Sequence, residues 1–236
     1  EVSTMAQQDM LAAAHAAVKA ALGKGAQEAS ARTYRVREVN VKWRDGKLEQ
    51  IDEATTRGLG LSLYVDGRFS SVSTSDLRPE ALDTFIGDSV VLTRALAKDP
   101  YRTLPDPKLY EGQAKVDLQL EDPKYATVTP EQRRSVAREI EAAARSVKGA
   151  EAILSVTSNF SDTLAETWRV TSNGFSGARR DTSFFISAEA SVKDPDGRKP
   201  EDYAYGGSRF VAEVPKADQV GREAAQRAIS RLGAKK

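Results

Sequence analysis

The sequence predicts an α+β fold of two similar halves, each running helix, four strands, helix, with antiparallel sheets joined by hairpins. Apolar residues recur with helical spacing in four segments and alternate with polar residues in the stretches between them. Asp-Gly or Asn-Gly pairs separate the alternating runs, and such pairs favour tight turns between antiparallel strands. The order of elements is the same in both halves, whereas their amino-acid sequences are not similar enough to be called a repeat.

The first half begins with an Ala-rich helix over residues 9–22, which Gly23 and Gly25 end. Four alternating runs follow, over residues 31–43, 48–56, 58–65 and 69–73. Asp45-Gly46 and Asp66-Gly67 are predicted to be two-residue hairpin turns, because a type I′ turn needs positive φ at both central positions. Pro79 opens the next helix, which extends to about residue 97.

In the second half, Thr129-Pro130-Glu131-Gln132 predicts a capped helix that runs to about Val147. The strands expected after it cover residues 152–156, 164–171, 182–192 and 202–211. Asn173-Gly174 and Asp194-Pro195-Asp196-Gly197 are the predicted turns, and the last helix begins at Pro215 and ends at Gly233. The expected lobes are therefore about 1–97 and 129–236, joined by a Pro-rich surface connection over 98–128.

Composition excludes several kinds of chemistry. The 236 residues contain one His and no Cys, with 35 Lys and Arg against 34 Asp and Glu. A zinc site built from these residues would need carboxylates almost alone, and His15 has the spacing of a residue on the flank of the first helix. We therefore predict no catalytic, cofactor-binding or metal-binding residue in this chain.

Three short patterns have structural explanations that we prefer. Ser70 to Ser75 supplies hydroxyls for a Ser/Lys dyad, but no Lys stands beside it, so a strand edge leading into a helix cap is favoured. Gly58-Leu59-Gly60 lacks the third glycine and the following helix of a phosphate-binding loop. Glu121-Asp122 and Glu201-Asp202 are paired acids that we interpret as solvated turns.

The last helix carries an excess of basic residues, which are Lys216, Arg222, Arg227, Arg231, Lys235 and Lys236. A nucleic-acid surface would add aromatic residues or a wider basic field, so a solvated helix face is the preferred interpretation and nucleic acid is an unlikely partner. No apolar run approaches the ~18 residues that a membrane span needs. We predict no membrane association.

Five collinear segments, covering nearly the whole chain, resemble the N-terminal domain of the TldD/PmbA family. They are Asp66-Gly67-Arg68 with Ser73-Thr74-Ser75-Asp76-Leu77; Asp99-Pro100-Tyr101; Ser172-Asn173-Gly174-Phe175-Ser176-Gly177; Asp202-Tyr203-Ala204-Tyr205; and Val220-Gly221-Arg222-Glu223-Ala224-Ala225 through Arg231 to Lys236. The Asp-Tyr-Ala-Tyr segment and the Ser/Thr-rich stretch resemble the PmbA (TldE) branch more than the TldD branch.

The resemblance implies a cytoplasmic metallopeptidase subunit acting on unfolded peptides, in a family that includes a protein named as a modulator of DNA gyrase. In the TldD branch, zinc is bound by a His-Glu-x-x-x-His motif and a later Cys of a C-terminal metallopeptidase domain, which is expected to begin where this chain stops. The PmbA branch lacks that motif and pairs with TldD as a non-catalytic partner. The resemblance thus implies no cofactor in this chain, and zinc in the C-terminal domain of a catalytic TldD-type partner.

The leading hypothesis is a substrate-enclosing and assembly domain that is inactive alone, within a heterodimer or homodimer. Whether to class the chain itself as an enzyme stays open. The alternative is a free-standing module that binds a peptide or a protein such as gyrase without any peptidase, and a Ser/Lys hydrolase is a remote third. An exposed strand edge is expected to bind an extended peptide with little regard to its side chains.

Overall fold

A computed structural model describes residues 2–112 and 116–234, with side chains from residue 9 onward. The α-helices are α1 (Val2–Gly23), α2 (Pro79–Arg94), α3 (Pro130–Ala144) and α4 (Ala217–Ser230). The strands are β1 (Glu28–Arg44), β2 (Lys47–Val65), β3 (Arg68–Thr74), β4 (Ile153–Thr171), β5 (Ser176–Val192) and β6 (Glu201–Ser208). They form an antiparallel sheet in the order β3-β2-β1-β4-β5-β6, which confirms the α+β class.

Each half contributes three strands, so the prediction of four strands per half was wrong. In the first half, residues 48–56 and 58–65 belong to the single strand β2. Gly58 lies within this strand at a position where only glycine fits. A Cβ there would be 2.6 Å from the Tyr34 hydroxyl and 2.9 Å from the Thr74 carbonyl oxygen. A strand glycine here reflects close packing, whereas the sequence had suggested a break.

The second half shows the same error in β4, which runs unbroken from Ile153 to Thr171. The sequence analysis ended one strand at residue 156 and began the next at residue 164. In the structure, Phe160 and Asp162 are both buried and alternate with residues of the opposite face. Asp162 is polar yet points inward because Arg133 of α3 pairs with it.

The tight turns of the first half are confirmed. Asp45 and Gly46 have φ of 48° and 79°, and Asp66 and Gly67 have 51° and 71°. The second half uses longer connections, over residues 172–175 and 193–200. There only the glycine of each predicted pair has positive φ, 107° at Gly174 and 89° at Gly197.

The chain divides into two compact units. Unit 1 comprises residues 1–36, 55–118 and 165–180, and unit 2 comprises 37–54, 119–164 and 181–236. Each unit combines segments from both halves of the chain, whereas the lobes expected from the sequence, 1–97 and 129–236, are continuous. That lobe division stays a prediction.

Unit 1 has its apolar core between its strands and the helices α1 and α2. The buried residues include Leu59, Leu61, Leu63 and Val65 of β2, with Ala14, Val18, Ile86 and Val90 from the helices. Because strand side chains alternate, the residues between these point to the other side of the strands. We call that side, turned away from α1 and α2, the outer face of unit 1.

Unit 2 is built on the same plan with α3 and α4. Its core includes Ile140, Phe160, Phe184, Ile186 and Val220. The predicted capping box is present: Thr129 Oγ1 accepts from Gln132 N at 3.2 Å, and Gln132 Oε1 accepts from Thr129 N at 2.7 Å. Gly221 allows α4 to lie directly against the backbone of α3. No described helix is long and apolar enough to cross a membrane.

The Gly67→Val variant is expected to lose about 1–3 kcal/mol of unfolding free energy, because a β-branched residue is strained at positive φ. No neighbouring atom lies within 4 Å of a Cβ built at Gly67 or at Gly23, so the space around the two positions is alike. Gly23 has no positive φ. Urea denaturation should therefore show a loss for Gly67→Val and none for Gly23→Val, and equal midpoints would contradict the assigned turn.

Candidate functional site

The outer face of unit 1 contains a pocket of about 380 Å³, which we call the aromatic pocket. The strands line it with Ser30, Ser62, Tyr64, Arg169 and Thr171. The segment after α2 lines it with Thr103, Leu104, Pro105 and Tyr110, and Phe175 completes the wall. Hydroxyls, aromatic rings and one guanidinium thus surround a space large enough for a side chain of a ligand.

The Pro-rich connection forms one wall of this pocket with Thr103, Leu104, Pro105 and Tyr110, and several contacts hold the segment in place. The amide of Asp99 donates to the Gly67 carbonyl at 2.8 Å, and the amide of Leu104 donates to Glu28 Oε2 at 3.1 Å. The Arg102 guanidinium lies 4.6 Å from the centre of the Phe69 ring. Leu104 is buried. These contacts anchor the stretch to the strands, although most of its residues are exposed.

Asn173 joins that wall to the end of β4. Its Nδ2 donates to the Pro105 carbonyl at 2.7 Å, and its Oδ1 accepts from the Tyr110 hydroxyl at 3.2 Å and from Thr171 Oγ1 at 2.7 Å. The sequence predicted Asn173 only as a turn residue. Its side chain in fact fixes the distance between the connection and the strands, and hence the width of the pocket.

Phe175 is held in place by Gly177 and Tyr110. A Cβ at Gly177 would lie 2.9 Å from Phe175 Cζ, so the glycine leaves room for the ring. The rings of Tyr110 and Phe175 are 5.2 Å apart between centres, a favourable aromatic distance. The segment Ser172 to Gly177, one of the five that carry the family resemblance, thus builds one wall of the pocket.

A second, more open pocket of about 780 Å³ adjoins the first, and we call it the arginine pocket. Its lining comprises Arg32, Thr167, Arg169, Phe175, Gly177, Ala178 and Arg179. Arg169 and Phe175 belong to both pockets. No carboxylate is among the described residues that line the arginine pocket. Arg32 and Arg169 therefore line one space whose described lining residues include no acid.

Tyr64 supplies a neutral phenol to the aromatic pocket. Burial raises the pKa of Tyr64, the Glu28 carboxylate adds to the rise, and Arg169 opposes it. The Glu28 carboxylate also accepts the Leu104 amide, which helps to hold it at the pocket wall. At neutral pH the Tyr64 hydroxyl can donate and accept a hydrogen bond.

Unit 2 displays a separate surface that we call the aromatic cluster, made of Phe185, Tyr203 and Tyr205. Their exposed fractions are 42%, 56% and 61%. The Phe185 and Tyr205 ring centres are 5.6 Å apart, and those of Tyr203 and Tyr205 are 5.9 Å apart and stacked. Arg227 fixes this strand from α4 through a 2.9 Å bond to the Tyr203 carbonyl.

The patterns singled out in the sequence have structural roles. His15 is exposed on α1, and the buried Ser70 hydroxyl lies 2.6 Å from Thr93 Oγ1 of α2. Asp122 was interpreted as part of a solvated turn, which is wrong, since it is 3% exposed. Its carboxylate accepts from the amides of Lys124 at 2.8 Å and Val211 at 2.7 Å, and burial is tolerated because those bonds satisfy it.

The basic residues of α4 are largely paired with acids. Arg222 lies 3.2 Å from Asp218, Arg227 pairs with Glu223, and Arg231 lies 2.5 Å from Asp202 of β6. These pairs agree with a solvated helix face. Lys235 and Lys236 lie outside the described residues.

The class of protein follows from these observations: an α+β chain with an antiparallel sheet, in whose unit 1 the helices lie on one face of the strands and two pockets of ligand size on the other. A family model described as "PmbA/TldA metallopeptidase domain 1" matches residues 29–92, and one described as "PmbA/TldA metallopeptidase central domain" matches residues 123–232. The chain belongs to this PmbA/TldD metallopeptidase family.

Individual relatives agree with the assignment. Metalloprotease PmbA of Escherichia coli O157:H7 is 27% identical over 226 residues, covering 93% of this chain and 48% of that protein. The crystal structure of a Bacteroides thetaiotaomicron protein, named as a candidate modulator of DNA gyrase, is 34% identical with a TM-score of 0.88, over 95% of this chain and 50% of that one. TldE of Thermococcus kodakarensis shares the fold, with a TM-score of 0.70 at 12% identity, over 89% of this chain and 46% of that one. The chain thus spans about half the length of these relatives.

The family name implies a metal, and the described residues do not fit a zinc site. No group of three or more His, Cys, Asp or Glu side chains in the described part of the chain could hold a metal ion. The sequence has a single His, exposed on α1, and no Cys, so the usual nitrogen and sulfur ligands are lacking. A zinc site of this family is not formed by these residues.

Proposed function

We propose that this chain is the peptide-holding and assembly domain of a cytoplasmic PmbA-type metallopeptidase, and that it does not hydrolyse peptides by itself. A TldD-type partner subunit supplies the zinc site. The outer face of unit 1 holds an unfolded peptide and presents it to that site. Family membership supports the peptidase system, and the two adjoining pockets support the holding role.

The observation that carries the proposal is the arrangement of the two pockets along the strands. Ser30 lines the aromatic pocket and Arg32 the arginine pocket, one alternate position further along β1. On β4, Thr171 lines the aromatic pocket and Thr167 lines the arginine pocket, so the two pockets follow one another along this strand as well. Alternate strand positions are roughly 7 Å apart, which is also the separation of side chains i and i+2 in an extended peptide. An extended peptide segment can therefore place two side chains in the two pockets at once.

The assembly role is supported by the aromatic cluster of unit 2. Tyr and Phe are enriched in protein interfaces, and three exposed rings in mutual contact form an unusually apolar patch for a surface strand. The edge of β2 over residues 47–54 is a further surface for extended chains. It is exposed throughout, and the pairing with β3 begins only at Leu59.

The second candidate function is a binding module that works without a peptidase. The name of the Bacteroides relative, with 34% identity, favours it. The two functions differ in their effect on cleavage of the bound peptide. A peptidase domain raises the rate at which a partner cuts the peptide, whereas a free-standing module binds the peptide and leaves its cleavage unchanged.

The test is a cleavage assay with a disordered peptide, a purified TldD-type partner and the protein that carries this chain. We expect no cleavage without the partner, and cleavage with it that chelator abolishes. Phe175→Ala removes the wall shared by both pockets and should lower kcat/KM by about tenfold or more, because burying an apolar side chain against such a ring is worth about 1.5–3 kcal/mol. Tyr101→Ala alters a residue that is 93% exposed and should have no effect.

Chelator-resistant cleavage by the chain alone would contradict the proposal. Peptide binding without any effect on cleavage by the partner would favour the free-standing module. Association with the partner is measured in the same preparation, where Tyr205→Ser should weaken the complex if the aromatic cluster is the assembly surface.

A further inference from the structure

Two arginines of the arginine pocket lack the acid partner that many other described arginines have. Arg37, for example, lies 2.7 Å from Glu53, and Arg35 lies 3.6 Å from Glu166. In the described part of the chain, no carboxylate lies within salt-bridge distance of Arg32 or Arg169. Arg32 and Arg169 line the same pocket, where their like charges repel each other, and an anionic ligand would relieve that repulsion.

The guanidinium groups are also positioned. The Arg32 guanidinium lies 5.7 Å from the centre of the Tyr34 ring, two residues further along the same face of β1. Arg169 lines both pockets, as Phe175 does. Planar guanidinium groups bind carboxylates through paired hydrogen bonds, and a pre-positioned group loses less entropy when it does so.

The neighbouring aromatic pocket fits a different side chain. Tyr64, Leu104, Tyr110 and Phe175 give it apolar and aromatic walls, and its volume of about 380 Å³ accommodates one large apolar side chain. The spacing between the two pockets matches positions i and i+2 of an extended chain, as argued above.

We infer that the outer face of unit 1 selects peptide segments in which an acidic residue stands two positions from an aromatic or large aliphatic residue. The carboxylate enters the arginine pocket and the apolar side chain enters the aromatic pocket. The inference rests on the proposed function, since it names the class of peptide that this site holds. A protein ligand is favoured over single-stranded nucleic acid because one pocket is built for an apolar side chain rather than for a second phosphate.

The experiment measures binding of fluorescent peptides to the 236-residue chain by anisotropy, so that no peptidase is required. All peptides are acetylated and amidated, which leaves side-chain carboxylates as the only anions. The first contains Asp and Phe at positions i and i+2 in a Gly/Ser background. The second moves Asp to position i+1, and the third has Asn in place of Asp. We expect the first to bind about tenfold more tightly than the other two, with a difference that decreases as salt is raised.

Variants assign the effect to the pocket. Arg169→Gln and Arg32→Gln should each remove most of the preference for Asp over Asn, while Arg57→Gln, an exposed arginine of β2, should keep it. Arg169→Glu should reverse the charge preference, so that a peptide with Lys in place of Asp binds this variant more tightly than the Asp peptide does. Circular dichroism of each variant checks that the fold is retained.

The outcomes separate the inference from the proposed function. If no peptide binds, both fail. If all three peptides bind equally and the arginine variants bind like the parent, the holding role stands and the acidic selectivity is wrong. A single-stranded oligonucleotide that binds more tightly than the Asp peptide and competes with it would also overturn the inference, because the arginines would then serve phosphate.

Discussion

Replacing Asp162 by alanine is expected to lower the free energy of unfolding of unit 2 by about 3–5 kcal/mol, the range seen when one partner of a buried ion pair is removed. Asp162 Oδ2 lies 2.5 Å from Arg133 Nε, and the two side chains are 0% and 5% exposed. The alanine variant leaves the guanidinium buried without its acid. Tyr125 also loses a partner, since burial and its hydrogen bond to Asp162 raise the pKa of that phenol to about 12.

The measurement is urea denaturation followed by Trp43 fluorescence in a Trp168→Phe background, because Trp43 and Trp168 are the two tryptophans of the chain and Trp43 belongs to unit 2. The control replaces both partners, as Arg133→Met with Asp162→Leu, and should recover most of the loss since no buried charge remains. A loss below about 1 kcal/mol for Asp162→Ala would show that the pair is hydrated and of the kind found at surfaces.

The Gly221→Ala variant is expected to lose about 3 kcal/mol or more, at or above the upper end for inserting one methyl group into a packed core. A Cβ at Gly221 would lie 2.0 Å from the Ile140 carbonyl oxygen and 3.1 Å from Ala143 Cβ. The first of these atoms is helix backbone, which cannot turn aside as a side chain can. The two helices must therefore separate, and the core beneath them loses contacts.

Gly87→Ala is the matched control, because it makes the same change in the middle of α2. There the nearest atoms to an added Cβ belong to the flexible Lys24 side chain, at 3.6 Å. Alanine should stabilise that helix by about 0.5–1 kcal/mol. If Gly221→Ala and Gly87→Ala changed the free energy of unfolding in the same direction, helix propensity would dominate at both sites. The close approach of α3 and α4 would then be disproved.

Local signals were sufficient for the helices and the tight turns. Asp45-Gly46 and the Thr129 capping box act within two to four residues, and both were predicted correctly. The strand count failed where the deciding contact is distant in sequence. Gly58 was placed at the start of a separate strand, because its packing against Tyr34 is not visible locally. Asp162 fell between two predicted strands, because its partner Arg133 lies 29 positions earlier.

The site could not be predicted because it depends on strand order. Arg32 of β1 is far in sequence from Arg169 of β4 and Arg179 of β5, and the three line one pocket because β4 lies between β1 and β5. The one available signal was arginine at alternate positions among serine, threonine and tyrosine, as in Ser30, Arg32 and Tyr34. The prolines of residues 98–112 correctly indicated irregular structure, but they gave no hint that the amide of Leu104 bonds to Glu28.

The central claim is that the outer face of unit 1 holds the peptide, and photo-crosslinking tests it most directly. The Asp-containing peptide described above carries benzoylphenylalanine in place of Phe, and the sites of attachment are identified by mass spectrometry. The account predicts attachment to Tyr64, to residues 103–110 and to Phe175, and its loss when excess unlabelled peptide is added. Attachment concentrated on residues 47–54 or on Tyr203 and Tyr205 would contradict it, because the peptide would then bind a strand edge or the aromatic cluster of unit 2.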